Sequence, residues 1–125
     1  MVLEKLLLTE KIIKNFNLLI DRYFNTESSV HFYADKLNIT PNYLNILSQR
    51  YLKIPAGDVI KERTILEAKR LLTSTDLSIK EIAYQLGFND NTYFTKVFKK
   101  YSLHRFFLWF VTINIHFYLL PIEKI

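Results

Sequence analysis

The stretch that decides the fold is SIKEIAYQLGFNDNTYFTKVFKKY, residues 78–101. Ser78-Ile79-Lys80-Glu81 is a capping box: the Ser78 hydroxyl meets a free N–H in a helix's first turn, and a carboxylate returns three residues on. The helix it starts ends at Gly87, where a tight corner often needs the positive φ that glycine adopts freely. A second helix starts at Asp90 or Asn91 and reaches Tyr101. Small Ala83 lets the two helices approach closely, Phe88 plugs the corner, and Phe94, Val97 and Phe98 turn an apolar side inward. Two short helices joined by a sharp corner are the grammar of a helix-turn-helix.

Upstream, FYADKLNITPNYLNILSQRYL (32–52) repeats that grammar. Ala34, Leu37 and Ile39 match Ala83, Leu86 and Phe88 at an offset of 49. Tyr43, Leu44, Leu47, Arg50 and Tyr51 match Tyr93, Phe94, Val97, Lys100 and Tyr101 at an offset of 50. The one-residue difference falls in the turn, where insertions are tolerated. Asn38 takes the place of Gly87. Ser29 caps a short helix over 30–38, and Pro41 after Thr40 fits the first turn of the helix that runs to Leu52.

Between the two units, Pro55 and Ala56 open a longer helix over 56–73. Val59, Ile60, Ile65, Ala68, Leu71 and Leu72 point inward, and Lys61, Glu62, Glu67 and Lys69 outward. Its 18 residues span about 27 Å at 1.5 Å per residue. Neighbouring major grooves on one face of B-DNA lie about 34–36 Å apart, so a rigid helix of this length can hold two recognition helices over adjacent grooves. Ahead of the first unit, Leu6, Ile13, Phe16, Ile20 and Phe24 form the stripe of a helix over 3–24, widened near its start by Val2, Leu3, Leu7 and Leu8. One long helix, or a linker helix running into the domain's first helix near Thr9–Lys11, both fit. The predicted fold is all-α and homeodomain-like: two helix-turn-helix subdomains joined by a long linker helix, with an N-terminal helix and an apolar C-terminal tail. The divisions are a helical stub over 1–14, the two-unit domain over 15–102 (units 30–52 and 78–101, linker 56–73) and the tail over 103–125.

Composition agrees. The 125 residues include 2 glycines and 3 prolines, too few turn residues for a chain of many short strands. The absence of cysteine excludes a disulfide scaffold, a thiolate zinc site and a cysteine nucleophile, and suits a reducing cytosol. MVLEKLLLTEKIIK lacks a signal-peptide pattern, because Glu4 and Glu10 flank a leucine run too short for one. His31, His104 and His116 lack metal-ligand spacing. No Ser–His–Asp grouping or phosphate loop stands out, so neither an enzyme nor a cofactor is expected. The net charge of +5 is localised. Residues 1–42 carry 5 basic and 5 acidic residues, residues 43–105 carry 11 and 6, and residues 106–125 one of each. A basic middle block either draws polyanions (nucleic acid, anionic lipid or an acidic partner) or is a solvated helix face with surplus lysine.

The exposed faces of the second helices name the candidate contacts. Asn and Gln pair with adenine edges, Lys with guanine or phosphate, and Thr with several groups. The expected base readers are Asn42, Asn45 and Gln49 in the first unit and Asn91, Thr92, Thr95 and Lys96 in the second. Arg50, Lys99 and Lys100 are the expected phosphate contacts. Tyr43 and Tyr93 either pack against the turn or meet phosphate. Ile46 stands where a polar reader is expected, and either touches a thymine methyl or is partly buried.

From about Asn15 to Tyr101 the chain resembles the DNA-binding domain of AraC/XylS-type bacterial transcription regulators. The most specific piece is 78–101, with its Ile-Ala pair, Gly-Phe at the turn, Tyr-Phe and Phe-Lys-Lys. ERTILEAKRLL (62–72) resembles the family's linker helix and ADKLNITPNYLNIL (34–47) its first unit. The resemblance implies a cytoplasmic protein that binds double-stranded DNA in a sequence-specific way and regulates transcription, with RNA polymerase as a further partner.

Two departures stand out. The family's Gly-x-Thr/Ser-Pro turn and short last helix are replaced after Ser102 by LHRFFLWFVTINIHFYLLPIEKI, and a shifted reading frame or rearranged 3′ end is one origin for that. The helical stub before residue 15 leaves no room for an upstream ligand-sensing domain. Residues 106–120 hold no charge, and Pro121-Ile122 extends the run to 17, the lower limit of about 17–25 residues for a membrane span. Thr112, Asn114 and His116 interrupt it. A packed or strand-like cap and an aggregation-prone tail are preferred to an anchor, so a membrane partner is disfavoured. The competing functional readings are a helical protein-interaction module and a non-functional remnant of a regulator.

Overall fold

Most helices of the protein start from a local capping signal that can be read residue by residue. The computed structural model describes residues 2–102, which form α1 (Val2–Tyr23), α2 (Val30–Lys36), α3 (Pro41–Leu52), α4 (Ala56–Ser74), α5 (Ile79–Gln85) and α6 (91–102), with no strand among them. The tail over 103–125, with its cap, anchor and aggregation readings, lies outside the described residues.

The two corners are built alike. In the first, the N–H of Ile39 donates to the Ala34 carbonyl (3.1 Å) and that of Asn38 to the Asp35 carbonyl (3.1 Å). In the second, Phe88 donates to Ala83 (2.9 Å) and Gly87 to Tyr84 (3.1 Å). This paired closure is a Schellman motif, which satisfies the last carbonyls of a helix and requires a left-handed residue after its C-cap. Asn38 (φ 58°) and Gly87 (φ 91°) supply that residue. Thr40 then caps α3 by accepting from the Tyr43 N–H (3.1 Å), and Asp90 caps α6 by accepting from the Thr92 N–H (2.9 Å). Asn89 is the inserted residue of the second turn. Ser29 caps α2. Ser78 caps α5 by accepting from the Glu81 N–H (3.1 Å), while its hydroxyl donates to the Glu81 carboxylate (3.2 Å). Each such cap contributes about 1 kcal/mol.

The core runs continuously through both units. Ile13, Phe16, Ile20 and Phe24 meet Tyr33, Ala34, Leu44 and Leu47, and α4 carries the packing through Ile60, Ile65, Ala68 and Leu71 to Ile82, Ala83, Phe94 and Val97. Ala34 and Ala83 are fully buried, as close helix approach demands. Phe16 meets Tyr33 edge-on at 5.8 Å, and Phe88 meets Phe94 edge-on at 5.1 Å. The Tyr33 hydroxyl donates to the Glu27 carbonyl at 2.7 Å. Burial, helped by the nearby Glu27 carboxylate, pushes its pKa up to about 12.

The first helix is a single element, the first of the two arrangements that the sequence allows. Several other expectations need correction. The inward stripe of α1 starts at Thr9; Leu6 is 47% exposed, and Val2, Leu3, Leu7 and Leu8 are more so. The core ends there because α3, on which this part of α1 packs, ends at Leu52. Leu72 is exposed where α4 passes its last inward turn. Glu67 is no freely solvated charge: it pairs with Arg70 and, at 3.9 Å, with Arg63. The hydrogen bond from Arg70 holds its carboxyl below the usual range, against a smaller opposing effect of burial. Arg63 also joins α4 to Asp21 of α1 at 2.8 Å.

Candidate nucleic-acid interface

α3 and α6 bury one side and open the other. On α3, Leu44, Leu47 and Ser48 are buried, while Asn42, Ile46, Gln49 and Arg50 are exposed. On α6, Phe94, Val97 and Tyr101 are buried, while Asn91, Thr92, Tyr93, Lys96, Lys99 and Lys100 are exposed. The two exposed stripes, 42-46-49 and 92-96-99, have the four-then-three spacing of one helix face and occupy the same places in the repeat.

The structure separates two of the expected base readers from the rest. Asn45 is half-buried, and its Oδ1 accepts from the Ala56 N–H at 2.9 Å. The reason lies at the start of α4. Pro55 stands at its N-cap and supplies no side-chain acceptor, so a first-turn N–H is left open and a side chain from α3 fills the role. Asn45 therefore caps α4 through its Oδ1. Sequence reading missed this because the partner lies 11 residues away; the only signal was a proline with no capping side chain ahead of a helix. Thr95, at the equivalent place in the second unit, is half-buried as well, and its hydroxyl donates to the Asn91 carbonyl at 2.8 Å.

The remaining groups are open. Asn42, Gln49, Asn91, Thr92 and Lys96 are exposed, as are Arg50, Lys99 and Lys100. The ion pairs among the described residues fall on α1, α2 and α4 and leave these four cations out. Lys100 lies over the Tyr101 ring at 5.4 Å. Tyr43 is half-buried against the first corner. Tyr93 is 52% exposed, with its ring 5.9 Å from that of Phe88. Ile46 is 46% exposed, which leaves an apolar side chain in the middle of the first stripe. No group of three or more His, Cys, Asp or Glu residues that could hold a metal ion occurs among the described residues, and none of their helices is long and apolar enough to cross a membrane.

Residues 33–104, more than half of the chain, match a helix-turn-helix domain family. The chain belongs to the AraC-type helix-turn-helix family. It is 33% identical over 81 residues to the uncharacterised HTH-type transcriptional regulator YijO of Escherichia coli, covering 65% of this chain and 29% of that protein. It is 30% identical over 81 residues to the regulatory protein PocR of Salmonella typhimurium, covering 65% and 27%. The chain thus spans under a third of the length of these curated relatives. Among solved structures it is similar to the C-terminal domain of the two-component response regulator yesN of Fusobacterium nucleatum, with a TM-score of 0.64 and 32% identity over 70% of this chain and 92% of that one. It is also similar to the C-terminal domain of AraT, a response regulator of Geobacillus stearothermophilus, with a TM-score of 0.67 and 30% identity over 72% and 75%. The AraC-type unit therefore accounts for both corners and for the helix between them.

Proposed function

We propose that this chain binds double-stranded DNA in a sequence-specific way as a transcription regulator, with α3 and α6 entering two adjacent major grooves. The observation that carries this reading is the duplication itself: two Schellman corners present exposed stripes in the same register. The 19-residue α4 between them is about 28 Å long, of the same order as the groove repeat of about 34–36 Å. Asn42, Gln49, Asn91, Thr92 and Lys96 read base edges, with Thr95 contributing its methyl group and remaining acceptor capacity. Arg50, Lys99 and Lys100 contact phosphate. Asn45 acts indirectly, through α4. RNA polymerase is the further partner the family resemblance suggests, and the protein works in the cytoplasm.

Selection from a random DNA pool tests the reading. The expected result is enrichment of fragments with two motifs about one helical turn apart. Retention of the pool without enrichment would leave only nonspecific binding, and no retention would favour the protein-interaction module or the remnant. On a selected site, Lys99→Ala is expected to weaken all sequences alike and to lower the salt slope by about one.

A further inference from the structure

Three side-chain hydrogen bonds converge on residues 54–58. The Ser48 hydroxyl of α3 donates to the Ile54 carbonyl at 2.7 Å. Two residues on, the Ala56 N–H donates to Asn45 of α3 at 2.9 Å. Two residues further, the Asp58 carboxylate accepts from the Tyr101 hydroxyl of α6 at 2.6 Å. Ala56 and Asp58 both lie in the first turn of α4. Both recognition helices are therefore fastened by polar side chains to the same helical turn, α3 through Asn45 and α6 through Tyr101.

We propose that the first turn of α4 is a hub that sets the spacing and pitch of the two recognition helices, with Asn45, Asp58 and Tyr101 as its positioning residues. Apolar packing holds each unit together, but a contact between apolar side chains is non-directional. A hydrogen bond fixes distance and angle, which is what two probes on one rigid duplex require. Tyr51, the repeat equivalent of Tyr101, makes the corresponding bond one unit earlier, to Thr9 of α1 at 2.7 Å. Each recognition helix is thus tied to the helix that leads its unit, and in the second unit that leading helix is also the bridge to the first. A cavity of about 290 Å³, lined by Ile54, Asp58, Glu62, Lys100 and Tyr101, lies beside the second tie. Lys100 lies over the Tyr101 ring, so a change at Tyr101 reaches one of the expected phosphate contacts.

The DNA arm of the test rests on the two-groove reading, and a second arm does not. Since the chain has no cysteine, Asp35→Cys on α2 and Tyr84→Cys on α5, both exposed, give one spin label per unit. The DNA-free protein is expected to show one narrow label–label distance. Tyr101→Phe and Asn45→Ala are each expected to broaden it about twofold, and Asn45→Asp, which keeps the acceptor, is expected to restore it. Asp58→Ala, which removes the acceptor and is read by the same pair, serves if Tyr101→Phe does not fold. On a selected two-motif site, inserting one or two base pairs between the motifs is expected to cost the parent about tenfold in affinity and Tyr101→Phe less than about threefold. Binding to a single motif should change by less than about twofold in either protein. Narrow distances in both bond-deleting variants would overturn the hub. So would unchanged spacing discrimination in Tyr101→Phe. Failure to select any DNA would sink the function reading while the label arm still decides the hub.

Discussion

The two helix-turn-helix units share a backbone and differ in charge. Their corners close with the same pair of hydrogen bonds, their recognition helices start from an oxygen cap, and a fully buried alanine holds the helices together in each. The recognition faces do not follow suit. α3 carries one cation, Arg50, and places Ile46 where α6 has Lys96; α6 adds Lys99 and Lys100 and carries no acid. Corner geometry depends on a few small, apolar or left-handed positions, which leave the outer stripe free to vary. On the proposed reading, the second unit supplies most of the electrostatic grip, and the first depends more on fit to base edges and methyl groups.

Core truncation breaks this comparison most severely. Phe94 and Leu44 are repeat equivalents and both are buried. Phe94→Ala is expected to cost about 3–5 kcal/mol and Leu44→Ala about 2–5 kcal/mol, a large part of a typical stability of about 5–15 kcal/mol. Because α4 belongs to one continuous core, urea titration followed by circular dichroism should show a single transition in either variant. Two separated transitions would mean that the units fold independently. The next effect in size concerns the stripes. Lys96→Ala is expected to cost about 1–3 kcal/mol at a selected site, and Ile46→Ala less than about 1 kcal/mol. Ile46→Lys should make the first unit more like the second and tighten binding to any sequence at low salt. Equal losses for Lys96→Ala on cognate and scrambled DNA would move Lys96 from base reading to phosphate contact.

Legibility in the sequence followed the range of the interactions. Both corners could be read, because a Schellman closure and a cap are settled within about six residues. The order of the helices followed, since few turn residues and a duplicated pattern leave little else. Reading weakened where the deciding partner was distant. Asn45 has the composition of a base reader, and only the fold shows the α4 amide beside it. Thr9 sits on the buried stripe of α1 because Tyr51 reaches it across 42 residues. Leu6 obeys helical periodicity yet is exposed: periodicity reports which face is apolar, and not how far along that face the neighbouring helix extends. The matching of 42-46-49 with 92-96-99 was available from the offset of 50, but its physical meaning needed the burial pattern.

The smallest effects lie at the left-handed residues. Gly87 (φ 91°) takes a conformation that costs a residue with a Cβ about 1–2 kcal/mol. Among the described residues a Cβ built there would meet only the Asn25 carbonyl oxygen, at 3.5 Å, so the cost is conformational rather than steric. Gly87→Ala is therefore expected to destabilise by about 1 kcal/mol. Lys53 at the C-cap of α3 reverses the sign. It has φ 69°, and the hydrogen bond of its Nζ to the Arg50 carbonyl is exposed, at 3.1 Å. A lysine in this conformation carries strain that glycine does not, and an exposed bond recovers little of it. Lys53→Gly is expected to raise stability by about 0.5–1 kcal/mol. It removes a positive charge beside the first stripe, so the same variant should bind DNA slightly less tightly at low salt. A variant that melts at a higher temperature yet shows a shallower salt slope would separate the two roles of Lys53; a lower melting temperature would mean that its side-chain bond outweighs the backbone strain.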